Sequence, residues 1–237
     1  MIEMIRHDAV SVIELQREDR RNALNLEQCL AIHRVADEAV NGGARVIVIT
    51  GRDSAFCSGA DLGGAYGDEF LNALYGMLHH LTELPVPLIA AVNGPAIGAG
   101  TQLALACDLR VADITATFAL PTAKNGMAVD AWTIRTLAEV AGHGSARRLM
   151  LAAETFDRDQ ALAVGLADRA GTLDDALAWA ADIAKFAPLS LAHNKRVLNG
   201  GDDAAVAESF AACWASEDVR EAALARSEKR TPHFSGR

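Results

Sequence analysis

Positive charge is in short supply in this chain of 237 residues, which carries a formal net charge of −9. A nucleic-acid-binding surface neutralises phosphates with Lys and Arg, so this balance argues against a nucleic-acid partner. The same deficit disfavours attachment to an anionic membrane surface. No apolar run approaches the roughly 20 residues that a membrane-spanning helix needs, and we therefore expect no membrane insertion.

Paired cysteines are lacking as well. The four cysteines are widely separated, and none has the short spacing of a zinc site or a redox dithiol: Cys29, Cys57, Cys107 and Cys213. We therefore expect free thiols and no metal. The first residues also lack the basic stretch and apolar core of a secretory signal, so a cytoplasmic protein is expected.

Aromatic residues make up only 5% of the chain, although 51% of its residues are hydrophobic and alanine is abundant. This composition is typical of closely packed helices on a sheet. The length fits one large α/β domain, or one domain with a helical extension. The sequence has no internal repeat, low-complexity tract or long linker.

Strand-like and helix-like segments alternate through the first half of the chain. Residues 9–15 alternate between apolar and polar side chains, which predicts a half-buried strand. The continuous apolar run at 45–50 predicts a strand of a parallel sheet. Asn25 and Gln28 have the spacing of a capping box and predict the start of a helix. Apolar residues over 70–81 recur at helical spacing.

The second half is richer in alanine. Short strands are predicted at 109–112 and 117–120, and from Ala131 the pattern is helical to the end of the chain. The last of these helices is predicted over 204–227. The whole pattern predicts an α/β fold of βαβαβ order with a helical C-terminal part.

A turn of small residues at 93–100, Asn-Gly-Pro-Ala-Ile-Gly-Ala-Gly, is the most informative segment. The apolar run 88–92 before it predicts a buried strand, and residues 103–106 after it predict a helix. Small residues allow another molecule to approach the backbone, and the first amides of a helix have no partners within that helix. These amides could hold a polarised carbonyl oxygen, as in an oxyanion hole.

An ordered set of motifs resembles the crotonase superfamily, the enoyl-CoA hydratase/isomerase family, over residues 10–234. The motifs are Arg21-Asn-Ala-Leu-Asn25, Ala55-Phe-Cys-Ser-Gly-Ala-Asp61, the segment 93–108, Phe118-Ala-Leu-Pro121, Ala161-Leu-Ala-Val-Gly-Leu166 and Glu228-Lys-Arg230. The resemblance implies a crotonase (ClpP-like) fold of repeated ββα units. It divides the chain into a spiral core at 1–185 and a helical trimerisation region at 186–237, with trimers often paired into hexamers.

The resemblance also implies a ligand, a coenzyme A thioester, and no further cofactor. The thioester oxygen is then gripped by the backbone amides of Ala60 and Ala99. Ala99 stands where the family usually has Gly, which suits a main-chain donor if the site needs no positive φ. Each fixed donor of this kind is worth about 3 kcal/mol for an enolate-like transition state.

The resemblance places the two catalytic glutamates of a hydratase at Gln102 and Thr122. Neither side chain can act as a general acid or base near neutral pH. The chain is in this respect similar to non-hydratase paralogues of mycobacterial type in lipid metabolism. We therefore expect a fatty acyl-CoA-binding protein whose hydratase activity is lost or weak.

Asp130 supports a different hypothesis. It matches the position of a catalytic carboxylate in some isomerases and dehalogenases of the family, and it could shuttle a proton if burial raised its pKa. The alternative interpretation is that Asp130 caps a helix beginning at Ala131. An active isomerase, or another CoA-thioester enzyme, is thus the rival prediction.

Further binding residues follow from the resemblance, and each has a plainer alternative. The loop and turn around the thioester are Cys57, Ser58, Gly59, Asp61 and Gly98, with Asp61 ordering the loop. Phosphate contacts are predicted for Arg21 and Lys229, together with Lys195, Arg196 and Arg230, although each is equally well a solvated surface cation. Phe234 either stacks on adenine or packs the tail. The acyl tunnel is expected to contain Leu74, Leu78, Met127 and Trp132, which are otherwise core residues.

Overall fold

The computed structural model describes residues 1–61 and 67–237. A six-stranded sheet has β1 antiparallel to β2 and all further neighbours parallel. Its strands, in spatial order, are β1 (Ile2–His7), β2 (Val10–Leu15), β3 (Val46–Gly51), β4 (Leu88–Val92), β6 (Leu109–Ala112) and β9 (Arg169–Ala170). A second, three-stranded sheet contains β5 (Pro95–Ile97), β7 (Thr117–Ala119) and β8 (Thr155–Asp157).

The helices surround these sheets and continue beyond them. They are α1 (Leu26–Asn41), α2 (Asp68–Glu83), α3 (Ala99–Ala106), α4 (Ala131–Leu151), α5 (Arg158–Ala163), α6 (Leu173–Ile183), α7 (Pro188–Leu198), α8 (Asp203–Ala215) and α9 (Glu217–Glu228). Single 3-10 turns lie at Glu18–Arg20 and Ala123–Asn125. No helix in the described ranges is long and apolar enough to cross a membrane.

Strand β3 explains the continuous apolar run in its sequence. Ile47 and Ile49 face a large core that also contains side chains of α1 and α2. Val46 and Val48 face a second, smaller core built against α6. Because both faces are covered, the strand needs no polar alternation, and each fully buried Ile or Val contributes about 1.5–3 kcal/mol.

Several predicted elements are confirmed. Asn25 caps α1, since its side-chain oxygen accepts a 2.9 Å hydrogen bond from the backbone N–H of Gln28. The strand at 88–92 and the helix around 70–81 are present, the latter as the longer α2.

Other predictions are wrong in detail. The region after Ala131 is not all helix, because β8 and β9 lie within it. The single helix predicted over 204–227 is two helices, since Ser216 has extended backbone angles (φ −71°, ψ 157°) and divides α8 from α9. The sequence pattern separates helical segments at 132–140 and 144–152, and this break is present, since α4 bends at Gly142, whose φ of 79° is outside the helical range. The division of the chain after residue 185 stays a prediction.

Candidate active site

A pocket of about 120 Å³ lies where the loop after β3, the start of α3 and one side of α2 meet the segment 121–129. Most of its described lining residues are apolar. The described lining residues are Ser58, Gly59, Ala60, Phe70, Leu71, Leu74, Tyr75, Ile97, Gly98, Ala99, Gln102, Pro121, Thr122, Asn125, Met127, Ala128 and Val129.

Backbone hydrogen bonds hold the loop after β3 against the turn before α3. The Cys57 N–H donates to the Pro95 carbonyl at 3.1 Å, and the Ile97 N–H donates back to the Cys57 carbonyl at 3.0 Å. The Asn93 side-chain amide donates to the carbonyls of Gly51 (2.6 Å) and Asp53 (2.9 Å). These bonds join the ends of two neighbouring parallel strands, β3 and β4.

Glycines allow the two segments to approach closely. Gly59 has φ 112°, and a Cβ there would lie 2.9 Å from the Ile97 carbonyl oxygen and 4.0 Å from the Ala99 nitrogen. A Cβ on Gly100 would collide with the Cys57 carbonyl oxygen. The loop that carries Ala60 is therefore packed directly on the first turn of α3.

Ala99 is the first residue of α3, where a backbone N–H has no acceptor within the helix. The positive φ in this turn falls on Gly98 (φ 55°) and not on Ala99. An alanine at 99 is thus compatible with the turn. Ala60 and Ala99 line the same pocket from two different segments.

Gln102 connects the pocket to a chain of polar side chains. Gln102 is only 3% exposed, and its Nε2 donates a 2.8 Å hydrogen bond to Oγ1 of Thr133. The Thr133 hydroxyl donates to Oδ1 of Asp130 at 2.6 Å. Oδ2 of Asp130 lies 3.2 Å from Nε2 of His79. We call these four side chains the Gln102–His79 network.

The single hydroxyl proton of Thr133 fixes the direction of its hydrogen bonds to Asp130 and Gln102. An ionised carboxylate only accepts, so the single hydroxyl proton of Thr133 points at Asp130. The Thr133 oxygen can then only accept from residue 102. Gln supplies the required N–H donor, whereas an ionised Glu does not.

No Asp, Glu, His or Lys belongs to the described lining of the pocket. The phenol of Tyr75 is the titratable group among those residues. The segment 62–66, which lies outside the described residues, is Leu-Gly-Gly-Ala-Tyr and contains no carboxylate. None of the described residues that line the pocket could therefore serve as a carboxylate base.

The sequence model of the enoyl-CoA hydratase/isomerase family matches residues 6–237. This chain belongs to the enoyl-CoA hydratase/isomerase family. It is 48% identical over 244 residues to the probable enoyl-CoA hydratase echA6 of Mycobacterium tuberculosis, with 100% of both chains covered. It is 33% identical to the 2,3-dehydroadipyl-CoA hydratase of Escherichia coli, covering 98% of this chain and 97% of that one.

Solved structures agree with the sequence comparison. A Hyphomonas neptunium protein assigned to the enoyl-CoA hydratase/isomerase family superposes with a TM-score of 0.92 at 30% identity, covering 100% of this chain and 98% of that chain. The crotonase fold expected from the sequence is thereby confirmed. Members of this family act on CoA thioesters.

Nine of the residues predicted for a CoA-thioester site line one pocket, namely Ser58, Gly59, Ala60, Leu74, Gly98, Ala99, Gln102, Thr122 and Met127. Leu78 is instead fully buried in the large core. Trp132 lies beside His79, with ring centroids 5.4 Å apart, and borders two other cavities. Neither residue lines the pocket.

Asp130 is the N-cap of α4, because its Oδ1 also accepts a 3.0 Å hydrogen bond from the Thr133 N–H. The cap, which was one of two interpretations of this residue, is therefore present. Asp130 follows Val129 of the lining but does not line the pocket itself. His79 and Thr133 were not expected to contact it, although an Asp directly before a helix start is itself a capping signal.

The loop residues that precede the pocket are held in place by their own contacts. Burial raises the pKa of the Cys57 thiol to about 12, so this thiol is not an activated nucleophile. Asp61 forms a 2.6 Å ion pair with Arg17. Arg21 is exposed, and its carbonyl accepts a 3.0 Å hydrogen bond from the Ser58 N–H.

The predicted cations and the aromatic residue near the C-terminus lie outside the pocket of their own chain. Lys229 ends α9 and is exposed. The Phe234 carbonyl accepts a 2.8 Å hydrogen bond from Arg45, which precedes β3, whereas the pocket loop follows β3. Lys195 is buried, and its Nζ lies 2.9 Å from Asp108 and donates to the Leu81 and Val86 carbonyls, which excludes a phosphate contact by Lys195.

Proposed function

We propose that this family member binds fatty acyl-CoA and that its hydratase activity is lost or weak. The observation that carries the proposal is the pocket lining: two backbone segments converge there, and no described carboxylate accompanies them. Gln102 and Thr122 occupy the lining positions that the resemblance assigns to the glutamates. The described lining offers two backbone amides for a thioester oxygen and no carboxylate that could move a proton.

Binding of the thioester rests on the amides of Ala60 and Ala99. The start of α3 carries a partial positive charge from the aligned peptide dipoles, which favours the oxygen of a polarised carbonyl. A neutral hydrogen bond of this kind contributes about 1 kcal/mol to binding a ground-state carbonyl. The same two donors would contribute more to an enolate, whose negative charge is on that oxygen.

The acyl part of the ligand is proposed to lie along the apolar wall of the pocket. The apolar lining includes Phe70, Leu71 and Leu74 of α2 and also Met127 and Val129. Burying each methylene of an acyl chain contributes about 0.8 kcal/mol. The CoA phosphates are proposed to reach Arg21, beside the loop, and Lys229 with Phe234 of another subunit.

A homotrimer or hexamer is part of the proposal. Helix α8 has no buried residue in the isolated chain, and its Phe210 and Trp214 are 55% and 67% exposed. Exposed large apolar side chains in a cluster are typical of a subunit interface. Such an assembly would bring the C-terminal residues of one subunit to a neighbour. We further propose a cytoplasmic location and no cofactor beyond CoA.

Calorimetric titration with saturated acyl-CoAs of increasing length tests the binding function. Free CoA provides the matched control, since it has the phosphates and adenine without the thioester. We expect saturable binding that tightens with acyl length, because each added methylene is buried. Equal affinity for free CoA and every acyl-CoA, or no affinity at all, would refute the acyl-binding proposal.

One observation favours the rival function, an enoyl-CoA isomerase that uses Asp130. The Gln102–His79 network connects the pocket to this carboxylate through two hydrogen bonds. Incubation of 3-enoyl-CoA with the wild-type and Asp130→Asn proteins decides between the two. Turnover by the wild type that disappears in Asp130→Asn supports the isomerase, and equal rates remove Asp130 from the mechanism.

A further inference from the structure

A cluster of potential metal ligands lies on the surface between α1 and α2. His33 and Asp37 are four residues apart on α1 and therefore project from the same face of that helix. His80 belongs to α2. One ligand atom from each of these three side chains lies within 4.8 Å of the other two.

Both histidine side chains lie beside the carboxylate of Asp37. Nε2 of His80 lies 2.8 Å from Oδ1 of Asp37, and Nε2 of His33 lies 3.9 Å from Oδ2 of the same residue. The two imidazole rings stack, with centroids 3.8 Å apart and an interplanar angle of 3°. The hydrogen bond of His80 to Asp37 accounts for one ring only. The four-residue spacing on α1 brings the second ring beside the same carboxylate.

We propose that His33, Asp37 and His80 form a binding site for a transition-metal ion such as Zn²⁺, which links α1 to α2. Two imidazole nitrogens and one carboxylate oxygen are a common ligand set for Zn²⁺, with water in the fourth position. Nitrogen donors disfavour Mg²⁺ and Ca²⁺, which prefer oxygen.

Metal binding requires a modest rearrangement of the rings. In a tetrahedral site with bonds near 2.0–2.1 Å, the ligand atoms are roughly 3.3 Å apart. The observed separations fall on both sides of that value, at 2.8 Å between His80 and Asp37 and 3.9 Å between His33 and Asp37. The rings must rotate out of their parallel stack so that both nitrogen lone pairs meet at one point. Partial exposure allows this, at 41% for the side chain of His33, 45% for Asp37 and 23% for His80.

Solvent can reach the cluster. Gly76 lies one turn before His80 on α2, and no described atom outside its own helix backbone and chain neighbours lies within 4 Å of the place where a Cβ of Gly76 would be. A water molecule in the fourth position therefore has access. The cysteines do not compete here, because Cys29, one turn before His33 on α1, is fully buried and its pKa is raised to about 12 by burial.

A metal ion at this site would affect the pocket through α2, which carries both His80 and part of the pocket lining. Phe70 and Leu74 project from α2 into the pocket lining. A metal bonded to His80 and to two residues of α1 would hold α2 against α1. The site shares no residue with the pocket, so its test is independent of acyl-CoA binding. Because His80 is distant in sequence from His33 and Asp37, residue spacing alone gives no sign of this site.

Calorimetric titration of the full chain tests the site, after removal of any purification tag and treatment with a chelator. Zn²⁺ is the titrant and Mg²⁺ the control ion. We expect one saturable Zn²⁺ site per chain and none for Mg²⁺. His33→Gln, Asp37→Asn and His80→Gln should each weaken Zn²⁺ binding at least about tenfold, since even outer-shell changes cost 10–100-fold. The exposed His7, on β1, provides the matched control, and His7→Gln should bind as the wild type does.

A second measurement uses the wild type alone. Anomalous scattering from Zn²⁺-soaked crystals should place one peak between α1 and α2, beside Asp37. Equal Zn²⁺ affinity in the three variants and the wild type, no saturable binding by the wild type, or an anomalous peak only elsewhere would each overturn the proposal.

Discussion

The side-chain amide of Gln102 donates a 2.8 Å hydrogen bond to Thr133, whose hydroxyl is already committed to Asp130. Residue 102 is therefore held as a donor beside the pocket. The Thr133 hydroxyl has one proton, which it donates to Asp130. A glutamate at position 102 would therefore face the Thr133 oxygen without receiving a hydrogen bond from it. The polar surroundings of residue 102 thus fit an amide and disfavour an ionised acid.

A carboxylate at residue 102 should consequently destabilise the protein. We predict that Gln102→Glu lowers the free energy of unfolding by about 1–3 kcal/mol, the cost of a buried group without its hydrogen bond. Denaturant unfolding measures this change. Thr122→Glu provides the control for a carboxylate at another lining position. A Gln102→Glu protein as stable as the wild type would contradict the assigned direction of the network.

Restoring both carboxylates should have a different outcome. We predict that Gln102→Glu combined with Thr122→Glu raises the enoyl-CoA hydration rate at least about 10²-fold over the wild type, since each positioned acid–base group contributes 10²–10⁴. Either substitution alone should raise the rate less than the double variant does, since it restores only one of the two groups. No gain in the double variant, with acyl-CoA binding retained, would argue against the assignment of these two positions.

The amide of Ala99 can be removed without removing a side chain. Ala99 is the first residue of α3, a position that proline favours, so Ala99→Pro deletes the N–H and preserves the helix. We predict at least about fivefold weaker acyl-CoA binding, which corresponds to a hydrogen bond of about 1 kcal/mol. Ala131→Pro makes the same change at the first residue of α4 and should bind normally. Equal affinity in both variants and the wild type would remove the Ala99 amide from the site.

Asp130 can be tested separately as a cap and as a base. Asn is as good an N-cap as Asp, whereas Ala is not. We predict that Asp130→Asn keeps the stability of the wild type and that Asp130→Ala loses about 1 kcal/mol. Thermal unfolding of the two variants measures the difference. Equal losses in both would show that the carboxylate charge, and not the cap, is what α4 needs.

The thiols should be inert in the folded protein. Burial raises the pKa of Cys29, Cys57 and Cys107 to about 12, so the thiolate is scarce at pH 8. We predict that at most one thiol, Cys213, reacts with a disulfide reagent before unfolding. All four should react in denaturant. Rapid labelling of Cys57 in the folded protein would contradict the burial of this loop.

The interface proposed for α8 has a direct test. Trp214→Glu places a charge on the exposed apolar face, and we predict a shift to smaller species in light scattering after size-exclusion chromatography. Ala204→Glu adds the same charge in the first turn of α8, where an acidic residue is favourable, and should leave the assembly intact. An unchanged mass for Trp214→Glu would place the interface elsewhere.

Local patterns in the sequence were sufficient for much of the fold. Asn25 caps α1 because its spacing to Gln28 is a property of four consecutive residues. The strand 88–92 and the turn after it were predicted from one continuous segment. Strand β8 was missed because three residues within an alanine-rich region carry too little pattern. The break at Ser216 has no glycine or proline to announce it.

The site was predictable where it consists of backbone. Gly59 and Gly98 are signals for close approach, and both line the pocket. The Gln102–His79 network was not predictable, since its members come from three different helices. The burial of Lys195 was missed for the same reason, because Asp108 and the carbonyls that hold it are far away in the sequence. Polar contacts between residues that are distant in sequence produce no periodic pattern in the sequence.

The central claim is tested most directly by the rate at which the wild-type protein hydrates enoyl-CoA, measured at a ligand concentration where calorimetry shows the pocket to be full. Saturation removes affinity as an explanation, so the rate reports only the chemistry. Because each missing acid–base group is worth 10²–10⁴, we predict a rate at least about 10²-fold below that of an ordinary hydratase of the family assayed alongside. A rate within about tenfold of that hydratase would show that a proton carrier is present after all, since losing even one such group costs more than that.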